Sequence, residues 1–228
     1  MPKKRPRCII YTRHPECEHN IDSDGALRRG IENRISPLTA VGVLQSEITA
    51  KYLRERSAEV IEAAFCSSYL RTHAIPILAR MAGMLTITSL LDERNMGVWH
   101  KHPRAKVLEM YPGEEDRLKE IGYYSYRAPD GESCADVESR LGAFLESEEF
   151  SAAGDTVYIS GHGISGLSLR RLLTGASVEE LHTWDRLKNG SVSEFVLVGD
   201  TYECVMYNHA PWEGNIDPEL LKRKSVEA

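Results

Sequence analysis

The sequence predicts an α/β domain with a mainly parallel sheet. Short apolar segments of strand character alternate along the chain with longer segments whose apolar residues recur every three or four positions. This alternation is typical of units in which a helix returns the chain so that consecutive strands run parallel. No Gly/Ser-rich linker and no internal repeat interrupts the 228 residues, so we expect one domain spanning 1–228.

The first half of the chain supplies three of the expected strands. A buried strand is predicted over residues 7–12. An amphipathic helix is predicted over 39–55, because apolar residues recur there at helical spacing: Leu38, Val41, Leu44, Ile48 and Tyr52. The pattern then predicts, in order, a strand over 60–67, a helix over 71–81 ended by Gly83, and a strand over 85–88.

The second half begins with a segment that lacks a strand pattern. Residues 95–130 combine Trp99, four tyrosines and three prolines with mixed charge, so we interpret them as an insertion or lid with a helical centre near 105–110. The later pattern predicts a helix over 134–146 capped by Ser133, a strand over 156–160, a helix over 164–173, a hairpin of 191–198 with 202–207, and a surface tail over 212–228.

Composition excludes several classes of function. The chain has 28 Lys and Arg against 34 Asp and Glu, a formal net charge of −6, which disfavours nucleic acid as a partner. Its five cysteines are odd in number and form no C-x-x-C pair, which argues against a disulfide framework and favours the cytoplasm. No apolar stretch approaches the length of a membrane span, so we expect no membrane partner.

Polar side chains follow four of the predicted strands. Arg13 and His14 follow the first, Arg71 the second, Glu93 the third and His162 the fourth. Open α/β sheets bind ligands at the carboxyl ends of their strands, so these five side chains are expected to meet at one edge.

This set of side chains suits phosphoryl transfer. A neutral imidazole can attack phosphorus, arginines can hold the non-bridging oxygens, and a carboxylic acid can protonate an alcohol leaving group, so no metal or other cofactor is required. Gly163 lets the backbone pass close to the site, and the helix that starts there can direct its N–H groups at a bound anion.

Two other motifs are weaker. Residues 161–166 satisfy G-x-G-x-x-G, but no strand-ending acid follows at the distance that dinucleotide binding requires. His14, Glu16, Cys17 and His19, or His100 with His102, could bind zinc, but neither group has a second ligand pair at the usual spacing.

Five ordered segments resemble the histidine phosphatase (phosphoglycerate-mutase-like) superfamily. They are Arg13-His14-Pro15-Glu16 with Asn20, Pro37-Leu38-Thr39-x-x-Gly42-x-x-Gln45, Ser67-Ser68-Tyr69-Leu70-Arg71-Thr72, Leu91-Asp92-Glu93-Arg94-x-x-Gly97, and Ile159-Ser160-Gly161-His162-Gly163. Residues 125–140 further resemble the branch found in plants and fungi.

The resemblance implies a three-layer α/β/α sandwich with a mostly parallel mixed sheet. It implies that His14 becomes a phosphohistidine and that Glu93 donates a proton. The remaining implied roles are phosphate contacts, made by Arg13, Arg71, His162 and Asn20.

Some positions depart from the family pattern. Pro15 replaces the usual Gly and removes a backbone N–H beside the nucleophile, so we expect one phosphate contact to be lost. Residues 21–34 are longer than the matching part of the mutases and do not align with their contacts to a second phosphate.

We therefore expect a metal-independent phosphatase for a small phosphorylated metabolite, working through a phosphohistidine. A phosphoglycerate-type mutase, a protein phosphatase and a non-catalytic phosphate-binding module remain open as alternatives. A homodimer is left open as an assembly.

Overall fold

The six strands of the computed structural model, which describes residues 5–56 and 60–222, form one sheet in the order β3-β2-β4-β1-β5-β6. The first four strands run parallel, and β5 and β6 are antiparallel additions at one side. Their bounds are β1 (Cys8–Arg13), β2 (Ala63–Cys66), β3 (Leu85–Ile87), β4 (Thr156–Gly161), β5 (Val192–Val198) and β6 (Thr201–His209).

The helices differ greatly in length. The α-helices of the described residues are α1 (Glu18–Ile21), α2 (Ser23–Arg28), α3 (Ala40–Arg56), α4 (Ala74–Leu78), α5 (Val98–Lys101), α6 (Arg104–Met110), α7 (Glu114–Ile121), α8 (Cys134–Leu145), α9 (Glu148–Ser151), α10 (Gly163–Thr174), α11 (Val178–Thr183) and α12 (Pro218–Lys222). Single 3₁₀ turns lie at Asn33–Ile35, Leu70–Thr72, Ala82–Met84 and Ser89–Leu91.

The sheet separates two apolar cores. On one face, Ile9 and Ile159 pack with Leu141 of α8 and Leu169 of α10. On the other face, the strand residues Ile10 and Tyr158, which alternate with those of the first core, pack with Leu53 of α3 and Ile75 of α4. Successive strand residues point to opposite faces, so helices on both sides bury the inner strands β1 and β4, whereas the edge strands β3 and β6 are partly exposed. The predicted three-layer α/β/α sandwich with a mostly parallel mixed sheet is confirmed.

Helix α3 exists as predicted but buries a different face. Its most buried residues include Gln45, Thr49 and Leu53, whereas the predicted apolar stripe is only partly buried. Leu44 and Ile48 of that stripe pack against a cluster that contains Trp212 and Ile216. The predicted surface tail is therefore wrong for these residues, because the chain after β6 covers the outer side of α3; residues 223–228 lie outside the described part.

The predicted helix over 71–81 is wrong in extent. The chain instead forms a 3₁₀ turn at Leu70–Thr72, then α4, and a second 3₁₀ turn at Ala82–Met84. Arg80 adopts φ 67, a left-handed conformation that ends a helix. The helices α1 and α2 were not expected from the pattern, because both are shorter than the windows in which helical periodicity can be recognised.

Residues 95–130 contain α5, α6 and α7 and, as expected, no strand. The predicted helical centre near 105–110 corresponds to α6. That this segment acts as a lid stays a prediction.

The described helices include none that is both long enough and apolar enough to cross a bilayer. All five cysteines, Cys8, Cys17, Cys66, Cys134 and Cys204, carry free thiols.

Candidate active site

The centre of the site is a pair of histidines at the ends of neighbouring strands. Strands β1 and β4 are parallel and place Arg13 opposite Gly161, so His14 and His162 leave the sheet side by side. Their ring centroids are 5.1 Å apart, and the ring planes are inclined at 62° to each other. Both side chains are almost fully buried, at 2% and 0% exposure. The predicted meeting of the two histidines at one sheet edge is observed.

The ring of His14 is oriented by its own backbone. Its Nδ1 lies 2.6 Å from the carbonyl oxygen of Pro15, which can only accept, so Nδ1 donates. In the neutral imidazole, Nε2 then carries the free lone pair. Burial, followed by the charges of Arg71 and Arg13, lowers the pKa of His14 well below its usual range. His14 is thus held as a neutral imidazole with Nε2 available for attack.

A chain of hydrogen bonds orients His162. Ser67 Oγ donates to Asp92 Oδ1 at 2.8 Å and therefore accepts from His162 Nε2 at 2.8 Å. His162 Nδ1 is buried without a partner among the described residues. Burial and the charge of Arg71 lower the pKa of His162 well below its usual range. On protonation, Nδ1 would become a buried donor directed away from Ser67.

Two arginines, Arg71 buried and Arg13 half-buried, complete the cationic side of the site. Arg13 donates through Nη1 to the carbonyl oxygen of Leu187. Arg71, 5% exposed, donates through Nη1 to the backbone oxygen of Asn33 at 2.6 Å and to its Oδ1 at 3.0 Å. Its guanidinium also lies over the ring of Tyr69, 4.6 Å from the centroid. The Nε atoms of both arginines are buried without partners in the described part of the chain, so each retains capacity to bind an anion.

The carboxylate of Glu93 caps helix α10. Its Oε2 accepts from the N–H of Gly163 at 2.9 Å and of Ile164 at 3.2 Å, and its Oε1 accepts from Ser165 N–H at 3.2 Å and Arg94 N–H at 2.9 Å. Anions are favoured at a helix N-terminus, which explains this placement. The N–H groups that the sequence assigned to a bound anion, that of Gly163 included, are thus occupied by Glu93 in this structure.

Asn20 lies outside the group of buried side chains. It is exposed, and its Oδ1 accepts from Cys17 N–H and from Asn189 Nδ2, both at 3.1 Å. Asn189 Nδ2 also lies 3.1 Å from the carbonyl oxygen of His14. Asn20 therefore contacts the loop that supports His14, and its role as a phosphate ligand stays a prediction.

The C-terminal segment supports the same loop from behind. Trp212 Nε1 donates to the carbonyl oxygen of Asn189 at 2.8 Å, and Gly190 N–H donates to that of His14 at 3.1 Å. Residues far apart in sequence thus fix the backbone that carries the nucleophile.

Arg94 anchors the last part of the insertion and the chain directly after it. It is 1% exposed and donates to the backbone oxygens of Glu132, Tyr123 and Tyr126. Its planar guanidinium can satisfy several carbonyls at once, which an ammonium group cannot do with the same geometry.

Two cavities flank Glu93. The larger cavity, about 720 Å³, lies between residues 27–34 and the start of the insertion, and its walls include Glu32, Asn33, His100 and Arg140. The smaller cavity, about 430 Å³, has mainly apolar and aromatic walls that include Tyr123, Leu167, Trp184 and Arg186. Glu93 therefore borders both spaces in which part of a substrate could lie.

Within residues 5–56 and 60–222, no three or more His, Cys, Asp or Glu side chains are grouped as metal ligands would be. His19, part of one weak zinc motif, instead places its Nδ1 2.9 Å from Ser36 Oγ.

The family pattern for the histidine phosphatase superfamily, branch 1, matches residues 9–210. The chain belongs to the histidine phosphatase superfamily. The suspected family is therefore confirmed, whereas the likeness to the plant and fungal branch stays a prediction.

Proteins similar to this chain carry names that indicate different activities. A Yersinia pestis protein called "Probable phosphoglycerate mutase GpmB" is 29% identical over 208 residues, covering 90% of this chain and 86% of the relative. The alpha-ribazole phosphatase from Shigella flexneri has a similar fold, with a TM-score of 0.71, 18% identity and coverage of 89% and 96%. A mycobacterial glucosyl-3-phosphoglycerate phosphatase gives a TM-score of 0.68, 21% identity and coverage of 89% and 99%.

Several residues that organise this site were not predicted from the sequence. Asp92 appeared only as a neighbour of Glu93, yet it holds Ser67 and, through it, His162. Asn33 was not singled out because its contact with Arg71 joins parts of the chain 38 residues apart. The serine pair at 67–68, directly after a strand, was the available signal for the Asp92 contact.

Proposed function

We propose that this chain is a metal-independent phosphatase that hydrolyses a small phosphomonoester metabolite in the cytoplasm through a phosphohistidine at His14. The observation that carries the proposal is the neutral, oriented imidazole of His14 beside His162 and two arginines whose buried Nε atoms have no partner among the described residues. Three basic side chains around one nucleophile suit a dianionic phosphoryl group.

In the first step, His14 Nε2 attacks phosphorus as the bond between phosphorus and the ester oxygen breaks. Arg13 and Arg71 hold the non-bridging oxygens, and the arriving dianion favours a proton on His162 Nδ1. The departing alkoxide takes a proton from Glu93 and leaves as the alcohol.

In the second step, water attacks the phosphorus of the phosphohistidine and the bond between nitrogen and phosphorus breaks. Glu93, now a carboxylate, takes the proton of the water, and His14 returns to the neutral imidazole. Inorganic phosphate leaves, and Glu93 is again protonated for the next cycle.

Hydrolysis of p-nitrophenyl phosphate in EDTA tests the proposal. The wild type is expected to turn over the ester and to form an acid-labile phosphoenzyme, and His14→Ala is expected to lose both. His102→Ala is the matched control, since His102 lies outside the buried cluster. Turnover that is equal in the wild type and His14→Ala would contradict the proposal. Binding of vanadate without any phosphoenzyme would instead favour a non-catalytic phosphate-binding module.

A phosphoglycerate-type mutase is the second candidate, favoured by the name of the Yersinia pestis relative. A mutase must keep its phosphohistidine while the product reorients, which requires a second set of anion contacts. Incubation with 3-phosphoglycerate and 2,3-bisphosphoglycerate, followed by phosphorus NMR, distinguishes the two. Formation of 2-phosphoglycerate faster than release of inorganic phosphate would favour the mutase.

A further inference from the structure

The larger cavity borders the phosphoryl pocket directly. Asn33 lies in its wall and accepts two hydrogen bonds from Arg71, while Glu93 lies at its inner end. A substrate whose phosphoryl group lies between His14 and Arg71 has its ester oxygen beside Glu93, so its alcohol part can extend into this space. The following inference rests on the proposed phosphatase function.

Each cation of the larger cavity is already paired with an acid. Arg34 Nη2 lies 3.3 Å from Asp92 Oδ2, and Arg34 also donates to Ser68. Lys101 Nζ lies 3.2 Å from Asp130 Oδ2 at the rim. An anion entering the cavity would have to compete with these carboxylates for their partners.

Arg140 is the most fully engaged of the three cations. Its Nε donates to Glu132 Oε1 at 2.9 Å, its Nη1 to the carbonyl oxygen of Leu90 at 2.9 Å, and its Nη2 to that of Glu93 at 3.1 Å. Arg140 therefore holds the segment around Glu93, and an added carboxylate or phosphate would have to compete with Glu132 for its guanidinium.

The other titratable side chains of the larger cavity, Glu32 and His100, add no positive charge to it. Glu32 faces it without a cation at ion-pair distance among the described residues. His100 accepts from Met96 N–H through Nδ1 at 3.3 Å, and burial together with Arg71 keeps its imidazole neutral. Arg34, Lys101 and Arg140 are paired with Asp92, Asp130 and Glu132. With Glu93 protonated for catalysis, the carboxylate of Glu32 therefore remains as the unpaired charge of the described wall residues.

We propose that the larger cavity is a leaving-group subsite for neutral, hydroxyl-bearing alcohols such as glycerol or a sugar, and that it rejects esters with a second anionic group. Hydroxyl groups can donate to the unpaired carboxylate of Glu32 and exchange hydrogen bonds with the amide of Asn33. A second carboxylate or phosphate would face the unpaired carboxylate of Glu32 and would have to compete for cations that are each already paired with an acid.

Two esters of nearly equal size test the subsite. Glycerol 3-phosphate and 3-phosphoglycerate differ mainly in a neutral hydroxymethyl against a carboxylate. We expect kcat/KM at least about tenfold higher for glycerol 3-phosphate, from the cost of placing like charges together. Glu32→Gln should narrow that ratio severalfold. Glu203→Gln, an equal charge change on the exposed face of β6, should leave it unchanged.

Results that contradict the subsite can be distinguished from results that contradict the proposed function. Equal or faster turnover of 3-phosphoglycerate would overturn the subsite, and its selective loss in Arg186→Gln would assign the alcohol part to the smaller cavity instead. A ratio that Glu32→Gln and Glu203→Gln change alike would also overturn it, since net charge would then be the cause. If p-nitrophenyl phosphate shows no His14-dependent turnover, the proposed function fails, and the subsite with it.

Discussion

His14 and His162 are buried beside two arginines, and this surrounding determines how they titrate. Both effects, loss of water and nearby positive charge, disfavour the imidazolium form. The same burial that keeps His14 a free nucleophile therefore makes protonation of the folded protein costly. His100 adds a third neutral imidazole, with its pKa lowered to about 4.

Stability should therefore decrease as the pH falls below about 6.5. Below that pH the histidines bind protons in the unfolded state but stay neutral in the folded state. Proton binding therefore stabilises the unfolded state relative to the folded state until the pH reaches the pKa of the folded histidines. Each histidine contributes at most about 1.4 kcal/mol per pH unit. Urea unfolding between pH 7 and 5, above the range where most carboxylates titrate, measures the slope. His100→Gln should reduce it, and a flat profile would contradict the neutral assignments.

The proton carried by Glu93 should matter most for poor leaving groups. Glu93→Gln keeps an acceptor for the N–H groups of α10 but cannot supply a proton. Its kcat should fall by about 10²- to 10⁴-fold with an alkyl phosphate and much less with p-nitrophenyl phosphate, whose phenolate leaves unaided. Equal losses with both esters would show that the variant disturbs the site as a whole; urea unfolding of Glu93→Gln serves as the control.

At the scale of elements, the site depends on close approach between a helix and a loop. Near the start of α3, Gly42 lies against the loop after β1, where an added Cβ would be 1.9 Å from the carbonyl oxygen of Glu16. The N–H of Glu16 in turn donates to Gln45 Oε1 at 2.9 Å. Helix α3 thus fixes the backbone two residues beyond His14.

Two helical glycines make a matched pair for testing this contact. Gly42→Ala should lower the free energy of unfolding by at least about 2 kcal/mol, because backbone atoms would have to move. Gly142→Ala, in α8 where no atom lies within 4 Å of the added Cβ, should raise it by about 0.5–1 kcal/mol through helix propensity. Chemical unfolding of both variants measures the difference, and a neutral Gly42→Ala would show that α3 can shift without cost.

At the scale of the whole molecule, the net charge and the site have opposite signs. The chain carries a formal charge of −6, while two arginines, Arg71 buried and Arg13 half-buried, lie at the proposed phosphoryl pocket. An anionic substrate is repelled at a distance and attracted only near the pocket, so ionic strength should affect its capture.

The association rate of vanadate should rise about twofold when ionic strength is raised from 0.02 to 0.2 M, because salt screens the long-range repulsion. Stopped-flow fluorescence measures this rate, and matched series in NaCl and KCl exclude a specific ion effect. A rate that falls with salt would show that the local field of Arg13 and Arg71 governs encounter.

The class of fold and the five side chains of the proposed chemistry could be predicted from the amino-acid sequence alone. Apolar periodicity reports locally which segments form strands and helices, and polar residues after strands report which groups meet at a sheet edge. Periodicity failed to predict the short helices within residues 18–28, because they are too short to show a periodic pattern. It also could not predict that Trp212, from the far end of the chain, packs on α3.

Only the tertiary structure decided how those side chains are held. The contact of His14 Nδ1 with Pro15, the chain from His162 through Ser67 to Asp92, and the pairing of Arg34 with Asp92 depend on positions of atoms that no local pattern encodes. Whether a cation is free to bind substrate depends on which acid lies within about 4 Å of it. That distance is set by folding of the entire chain, because the partners are brought together from residues far apart in sequence.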